Sequence, residues 1–254
     1  MTTTTILTTC SFYRDGINDP RFQFAIDTLD AAQGKYPVCV VEGSPDRRVA
    51  DAYRARKAFV FPETLPGLGT AKRRSYAVAT ELAIKNGIEI IQALEIEKTG
   101  MVDLVEQAIA PINEGTADVS VAKRSEASWL TYPRFQKETE QQANAAFEDE
   151  FGEEFDMMFG PVGILVGPAI GPFLVPNNLY LPERVPDEYI QMHGIMTCYL
   201  QGIHVVSSDP LDFVYPEQQR LQEEGDPAME AKRVRQRDDL IRTFQVFARE
   251  LEEA

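Results

Sequence analysis

Histidine and cysteine are almost missing from this chain, with two of the first and three of the second in 254 residues. Cys10, Cys39 and Cys198 are odd in number and far apart. They supply neither a disulfide framework nor the spacing of a metal-ligand set. Cys10 and Cys39 stand inside apolar runs and read as small buried hydrophobes. Positive charge is also scarce: 25 Lys and Arg against 40 Asp and Glu leave a net charge of -15. So acidic a chain lacks the basic footprint of a general nucleic-acid binder, and an anionic ligand would need a local cluster of cations. No run approaches the ~18 apolar residues of a membrane span. The threonine-rich start lacks the basic and apolar regions of a signal peptide. The expectation is a cytoplasmic protein with no nucleic-acid partner and no membrane span.

What is present is an alternation of short apolar runs and amphipathic segments. Residues 4–12, 38–43 and 59–61 read as strands, and 20–34 and 47–57 as helices. In the first helix Phe22, Ala25, Ile26 and Leu29 recur at helical spacing. That order predicts a parallel sheet covered by helices. Gly67-Leu68-Gly69-Thr70 opens a longer helix, which Asn86-Gly87 stops. Residues 88–94 make the next strand. Helices are expected over 101–114, with Pro111 as a late break, and over 133–151 and 187–200. Strands are expected over 117–122 and 202–207. Residues 159–182 form an apolar run broken by Gly and Pro, which predicts a turn-rich wall beside the site. The tail divides off as a charged helix over 226–254, after a domain over 1–225. Leu240, Ile241, Phe244, Phe247 and Leu251 form its apolar stripe. That stripe either packs back on the sheet or pairs with a second subunit, and a homodimer is the expectation.

Two constellations carry chemistry. Glu95 and Glu97 stand at the end of the 88–94 run, where ligands bind in open α/β sheets. If the strand continues they share one side. Such a pair suits a divalent cation with a diphosphate, or a ribose hydroxyl; the plainer reading is a solvated strand end. The second is the Gly-rich helix start followed by Lys72, Arg73 and Arg74. Cations are unfavourable to the dipole in a first turn unless an anion meets them there. A third, weaker feature is the stripe Gln136, Glu140, Asn144 on one helix face. His204 reads as structural, and Trp129 as either a stacking platform or a core anchor.

In this order the pieces resemble the GT-A glycosyltransferases of the family-2 type. VVEGSPD (40–46) is similar to their VVDDGSxD second strand, and GLGTAKR (67–73) to their GxGxAxN/R helix start. Glu95-Ile96-Glu97 takes the place of the Asp-x-Asp metal motif. The resemblance implies a GT-A-like α/β fold: a mostly parallel sheet sandwiched by helices, with a C-terminal helical extension. It implies transfer of a sugar from a nucleoside diphosphate sugar, such as a UDP-sugar, to an unknown acceptor. Glu42 would face the base or ribose, and Lys72 and Arg73 the nucleotide. Thr9, Asp46 and Gly69 join the same nucleotide-facing set. Glu95 and Glu97 would hold the ribose–diphosphate or its metal, Mn²⁺ or Mg²⁺; no ion is required if Lys98 replaces it. Glu140, Asp156 and His193 are the catalytic candidates. The chain departs from the family in having two glutamates in the metal motif, Met196 where a catalytic acid is usual, and Tyr215 where a metal-binding histidine is usual. Two alternatives remain: a catalytically inactive sugar-nucleotide-binding or interaction protein, and a nucleotidyltransferase. Against the last, its Gly-rich loop belongs after the first strand, not the third.

Overall fold

The computed structural model describes residues 4–166 and 190–252. Its elements are β1 (Thr5–Ser11), α1 (Pro20–Ala32), β2 (Val38–Glu42), α2 (Arg47–Ala55), β3 (Phe59–Pro62), α3 (Leu68–Asn86) and β4 (Ile90–Ala93). Then come α4 (Met101–Ala108), α5 (Ala110–Asn113), β5 (Val119–Arg124), α6 (Glu126–Trp129), α7 (Arg134–Phe151) and β6 (Val162–Leu165). The last are α8 (Ile190–Leu200), β7 (Val205–Leu211), α9 (Glu217–Glu223) and α10 (Pro227–Glu252). The strands form one sheet in the order β3-β2-β1-β4-β6-β5-β7. β1 pairs in parallel with β2 and β4, β2 with β3, and β5 with β7. Only β6, inserted between β4 and β5, runs antiparallel to its neighbours.

The near-continuous burial of β1 and β2 follows from helices on both faces. Strand alternation sorts the side chains. Leu7, Val40 and Ile90 pack with α1, α2, α4 and α5, whereas Ile6, Val41 and Ile91 pack against α3. On the α3 side the sheet's other half, Val119, Val121 and Ile164, meets α7, α8 and α10. Local signals set the ends. Asp19 accepts from the Arg21 N–H at the start of α1, with Pro20 at the first helical position. Gly87 closes α3 in the left-handed region at φ 66°, where a side chain would be strained.

Three expectations change. The run from 159 contains a strand, β6, which Gly and Pro nearby disguise; 167–182 lie outside the described residues. The strand expected over 202–207 begins later and reaches Leu211, running through Pro210 because β7 is the sheet's edge. The third concerns the tail. The apolar stripe of α10 is covered within the chain: Leu240, Phe244 and Phe247 are buried, and Phe244 meets Phe147 of α7 edge-on at 5.1 Å. Arg237 donates to Gln142 of α7 beside them, at 2.7 Å. The face expected to pair with a second subunit is therefore occupied by α7. Phe244→Ala should lower the unfolding free energy by about 3–5 kcal/mol in urea titration. A loss under about 1 kcal/mol would mean the stripe is not seated there.

Candidate functional site

The strand order reverses between β1 and β4, so the chain's switch-point crevice opens at their carboxyl ends. Tyr13, just after β1, leads into it. Its backbone N–H donates to Ser44 Oγ at 2.9 Å, and the Ser44 N–H donates to Glu42 Oε1 at 2.8 Å. This ties the ends of β1 and β2 together and places Glu42, buried at the last position of β2. Burial pushes the Glu42 carboxyl up, against the hydrogen bond from Ser44. The following Gly43 leaves room for Glu63, whose Oε2 lies 1.9 Å from where a Cβ would stand. Glu63 in turn accepts from the Gly67 N–H at 3.1 Å, anchoring the loop before α3.

β4 stops at Ala93, and the Lys98 N–H returns to the Glu95 carbonyl at 3.0 Å. The strand does not continue through the acidic pair as one arm of the sequence reading required. A turn replaces it, pinned by the buried Ile96. The two acids then go to different partners. Glu97 Oε1 accepts from the Tyr13 hydroxyl at 3.0 Å. Burial, and then the charge of Glu95, hold the Glu97 carboxyl above its usual range. Glu95 keeps 55% of its side chain exposed, with Lys98 Nζ 3.4 Å from its Oε1. Surrounding protein opposes its charge, but Lys98, Lys72 and Arg233 outweigh that and hold the carboxyl low. A solvent-reached yet partly desolvated carboxylate is a group on a cleft wall.

Lys98 itself is fixed. Its Nζ donates to the Phe159 carbonyl at 2.8 Å and stands 4.9 Å from the Phe159 ring centroid. Lys72 acts on both Glu95 and Cys10, whose thiol burial pushes up to about 11. Gly69 is buried in the first turn of α3. Arg73 turns back to Thr70 Oγ1 at 3.1 Å, and Arg74 donates to the Pro62 carbonyl at 2.8 Å. Among these three, it is the charge of Lys72 that lowers the Glu95 carboxyl.

Several candidates are spent elsewhere. Thr9 is a buried residue inside β1, two positions short of its end. Asp46 caps α2 and pairs with Arg48 at 2.9 Å; hydrogen bonds from Arg48 hold its carboxyl down at about 2. Glu140 and Asp156, expected as catalytic groups, are both buried against Arg124 at the end of β5. Asp156 takes Arg124 Nε and Nη2, each at 2.7 Å, and Glu140 takes Nη1 at 2.6 Å. Gln136 donates to Glu140 at 2.7 Å and Asn144 to Asp156 at 3.0 Å. The polar stripe of α7 thus serves a buried ion cluster and is not solvated. Arg124 Cζ lies 3.6 Å from the Trp129 ring centroid, which makes that tryptophan a core anchor. The backbone of His193 lies in α8, and its side chain is outside the described residues. Tyr215 is buried, donating to Glu223 at 2.9 Å. Sequence reasoning missed Tyr13, Arg124 and Phe159. Of these only Arg124 leaves a trace, a cation closing an apolar strand.

No protein-family model matches the chain, and no curated protein matches it in sequence. Solved structures do. A crystal structure of Mycobacterium tuberculosis glucosyl-3-phosphoglycerate synthase superposes with TM-score 0.57 at 15% identity, covering 96% of this chain and 81% of that one. The same enzyme in complex with Mn²⁺, UDP-glucose and phosphoglyceric acid gives TM-score 0.54 at 15% identity, over 93% of this chain and 80% of that one. The fold is GT-A. Glu42 stands at the carboxyl end of β2, and Glu95, Glu97 and Lys98 follow the end of β4, on either side of β1.

A divalent ion fits this crevice poorly. No group of three His, Cys, Asp or Glu side chains converges among the described residues. Glu97 already holds the Tyr13 hydroxyl, and Glu95 has an ammonium 3.4 Å away. We therefore derive no step through a metal.

The Arg124 cluster has a measurable signature. Burial pulls the Arg124 guanidinium down, but the charges of Asp156 and Glu140 outweigh that and hold it well above its usual range. Asp156 is held below its usual 3.8, so its contribution to stability is full above that pH and is lost as pH falls through the lower folded value. Arg124→Met strands two buried carboxylates and should cost about 3–5 kcal/mol at pH 7. Its pH dependence should invert: the stranded acids titrate above their unfolded values, so the variant gains stability as pH drops towards about 4. Chemical denaturation across pH measures both, and a variant with the wild-type pH slope would refute the cluster.

Proposed function

We propose that this chain transfers a sugar from a nucleoside diphosphate sugar to an acceptor hydroxyl, with Lys98 and not a divalent ion neutralising the diphosphate. The observation that carries this reading is Lys98. Its ammonium is fixed by the Phe159 carbonyl and stands beside Glu95, at the switch point of a GT-A sheet. Leaving-group charge is stabilised by a preorganised cation, and a lysine held by its surroundings costs no reorganisation when the bond breaks. The neighbour structure holding UDP-glucose makes that compound the first donor to test.

The roles follow from position. Glu42, fixed by Ser44, faces the base or ribose. Gly69 and the N–H groups at the α3 start, with Lys72 and Arg73, receive the nucleotide's phosphates. Glu97, aimed by Tyr13, takes a ribose hydroxyl, and Glu95 exchanges its hold on Lys98 for the incoming diphosphate. Glu140 and Asp156 are given no part in acid–base chemistry, because both are buried and bonded to Arg124. His193 remains a candidate for the acceptor side. We place the activity in the cytoplasm, in keeping with three free cysteines.

A binder without turnover is the second reading, favoured by Met196 and Tyr215, which are both buried where the family's chemistry is usual. UDP-glucose hydrolysis and transfer separate the two. The enzyme should release UDP from UDP-glucose at a rate unchanged by EDTA. Lys98→Gln should weaken UDP binding by about tenfold or more, the worth of one charge-assisted hydrogen bond. Activity abolished by EDTA and restored by Mn²⁺ would replace the lysine mechanism by a metal one. Tight UDP binding without any UDP release would leave the binder.

A further inference from the structure

At the end of the sheet opposite the crevice there is a cavity of about 430 Å³. It lies where α1 and α2 end and where β2 and β3 begin. Its size is that of a small-molecule site. Leu29, Ala32 and Tyr36 give it an apolar wall, and the charged residues that line it are Lys35, Arg56 and Lys57. Among the described residues no carboxylate lines it, in a chain with 40 acidic side chains against 25 basic ones. A cavity with only positive charge in so acidic a protein favours an anion.

The three cations are loosely held. Lys35 Nζ pairs with Asp103 at 2.7 Å, but half of the lysine side chain and 72% of the aspartate's are in solvent, so the pair is readily exchanged. Arg56 gives Nε to Asp30 at 2.8 Å and Nη1 to the Ala52 carbonyl at 3.3 Å. Its Nη2 meets no acceptor among the described residues. Lys57 pairs with no carboxylate among them.

The backbone of Lys57 is a second, independent observation. It stands at φ 63°, and no other described residue except glycine has a positive φ. Its N–H reaches the Arg54 carbonyl at 2.9 Å, and the Ala58 N–H reaches the Tyr53 carbonyl at 3.2 Å. That is the helix stop usually built on glycine. Across the cavity, α1 is followed by Gly34 at φ 75°, the expected residue for such a turn. A lysine is strained where glycine is not. The helix dipole does not require it, since Arg54 already supplies a cation in the last turn of α2. Strain of this kind is kept at ligand sites.

We propose that this cavity is a second binding site, for a phosphomonoester with a small organic body. A phosphomonoester carries close to two negative charges at neutral pH, which suits three cations better than a single carboxylate does. The free edge of the Arg56 guanidinium matches phosphate oxygens, and Lys57 is a point charge beside it. The apolar wall takes the carbon body, for which a bare phosphate has no use. The inference stands apart from the sugar-transfer reading.

Amide NMR spectra of the full-length, isotope-labelled chain test it, with phenyl phosphate and inorganic phosphate as probes. Phenyl phosphate should move the signals of Gly34, Lys35, Lys57 and Ala58 saturably and bind about tenfold more tightly than inorganic phosphate. Lys57→Gly removes the cation and the strain together. It should weaken phenyl phosphate about five- to tenfold. Its melting midpoint should hold or rise, so that lost binding is not lost fold. Lys98→Gln should leave the affinity read at these signals within about twofold, because that lysine belongs to the other end of the sheet. Signals that stay in place at the cavity, shifts confined to the crevice, or a Lys57→Gly variant that binds as the wild type does overturn the proposal. Equal affinities for the two probes overturn the phosphomonoester assignment.

Discussion

The buried guanidinium of Arg124 is the interaction on which the site half of the molecule depends. It sits at the carboxyl end of β5, where a strand leaves the core, and it is 2% exposed. A charge in that position is tolerated only when its donors are met. The chain meets them from three directions: Asp156 from the segment before β6, Glu140 from α7, and the aromatic faces of Trp129, Tyr132 and Phe159. An aliphatic residue at 124 would leave the two carboxylates buried without the cation they bind. Through Glu140 the cluster also reaches α10. One side chain thereby joins β5, α6 and α7 with the C-terminal helix.

The same cluster bears on where Lys98 stands. Phe159 lies between Arg124 and Lys98, with both cations near its ring and its carbonyl holding the lysine. Lys98 is therefore placed by a residue whose own position is set by the buried ion cluster. This gives a physical reason for the fate of Glu140 and Asp156. Carboxylates needed to neutralise a buried arginine are not available to move protons at neutral pH, because protonating either one leaves Arg124 under-compensated.

Much of the fold was legible because its signals are local. Hydrophobic period and the Asn86-Gly87 stop depend on residues within a few positions of one another, and the elements they predict occur within a few residues of expectation. β6 was not legible, since four residues amid Gly and Pro carry no period. The positions of Glu42, Glu95, Glu97 and Lys98 at the carboxyl ends of β2 and β4 were legible, because a short apolar run ending in acids marks a strand's carboxyl end. Its partners were not. Tyr13 lies 84 positions from Glu97, and Asp156 lies 32 from Arg124. Helical spacing put Gln136, Glu140 and Asn144 on one face, as found. It could not say that the face looks inward at an arginine from another element. The same limit applied to α10: a heptad-like stripe fits a second helix equally well whether that helix belongs to a partner or is α7.

A chain with 40 acidic and 25 basic side chains must bind an anion against its own field. On the sugar-transfer proposal, the crevice answers that constraint by holding positive charge inside ion pairs until the diphosphate arrives. Lys98 rests on Glu95. Free cations exposed in such a protein would draw its many carboxylates or solvent ions. Paired cations keep their place, and a diphosphate with more charge than a single carboxylate can displace the weaker partner. On the sugar-transfer proposal, Glu95, more than half exposed beside its lysine, is the partner that yields. Glu140, fully enclosed and bonded to Arg124, is not. The contrast between these two glutamates, similar in chemistry and opposite in burial, separates the part of this ion network that keeps the fold from the part that can answer a ligand.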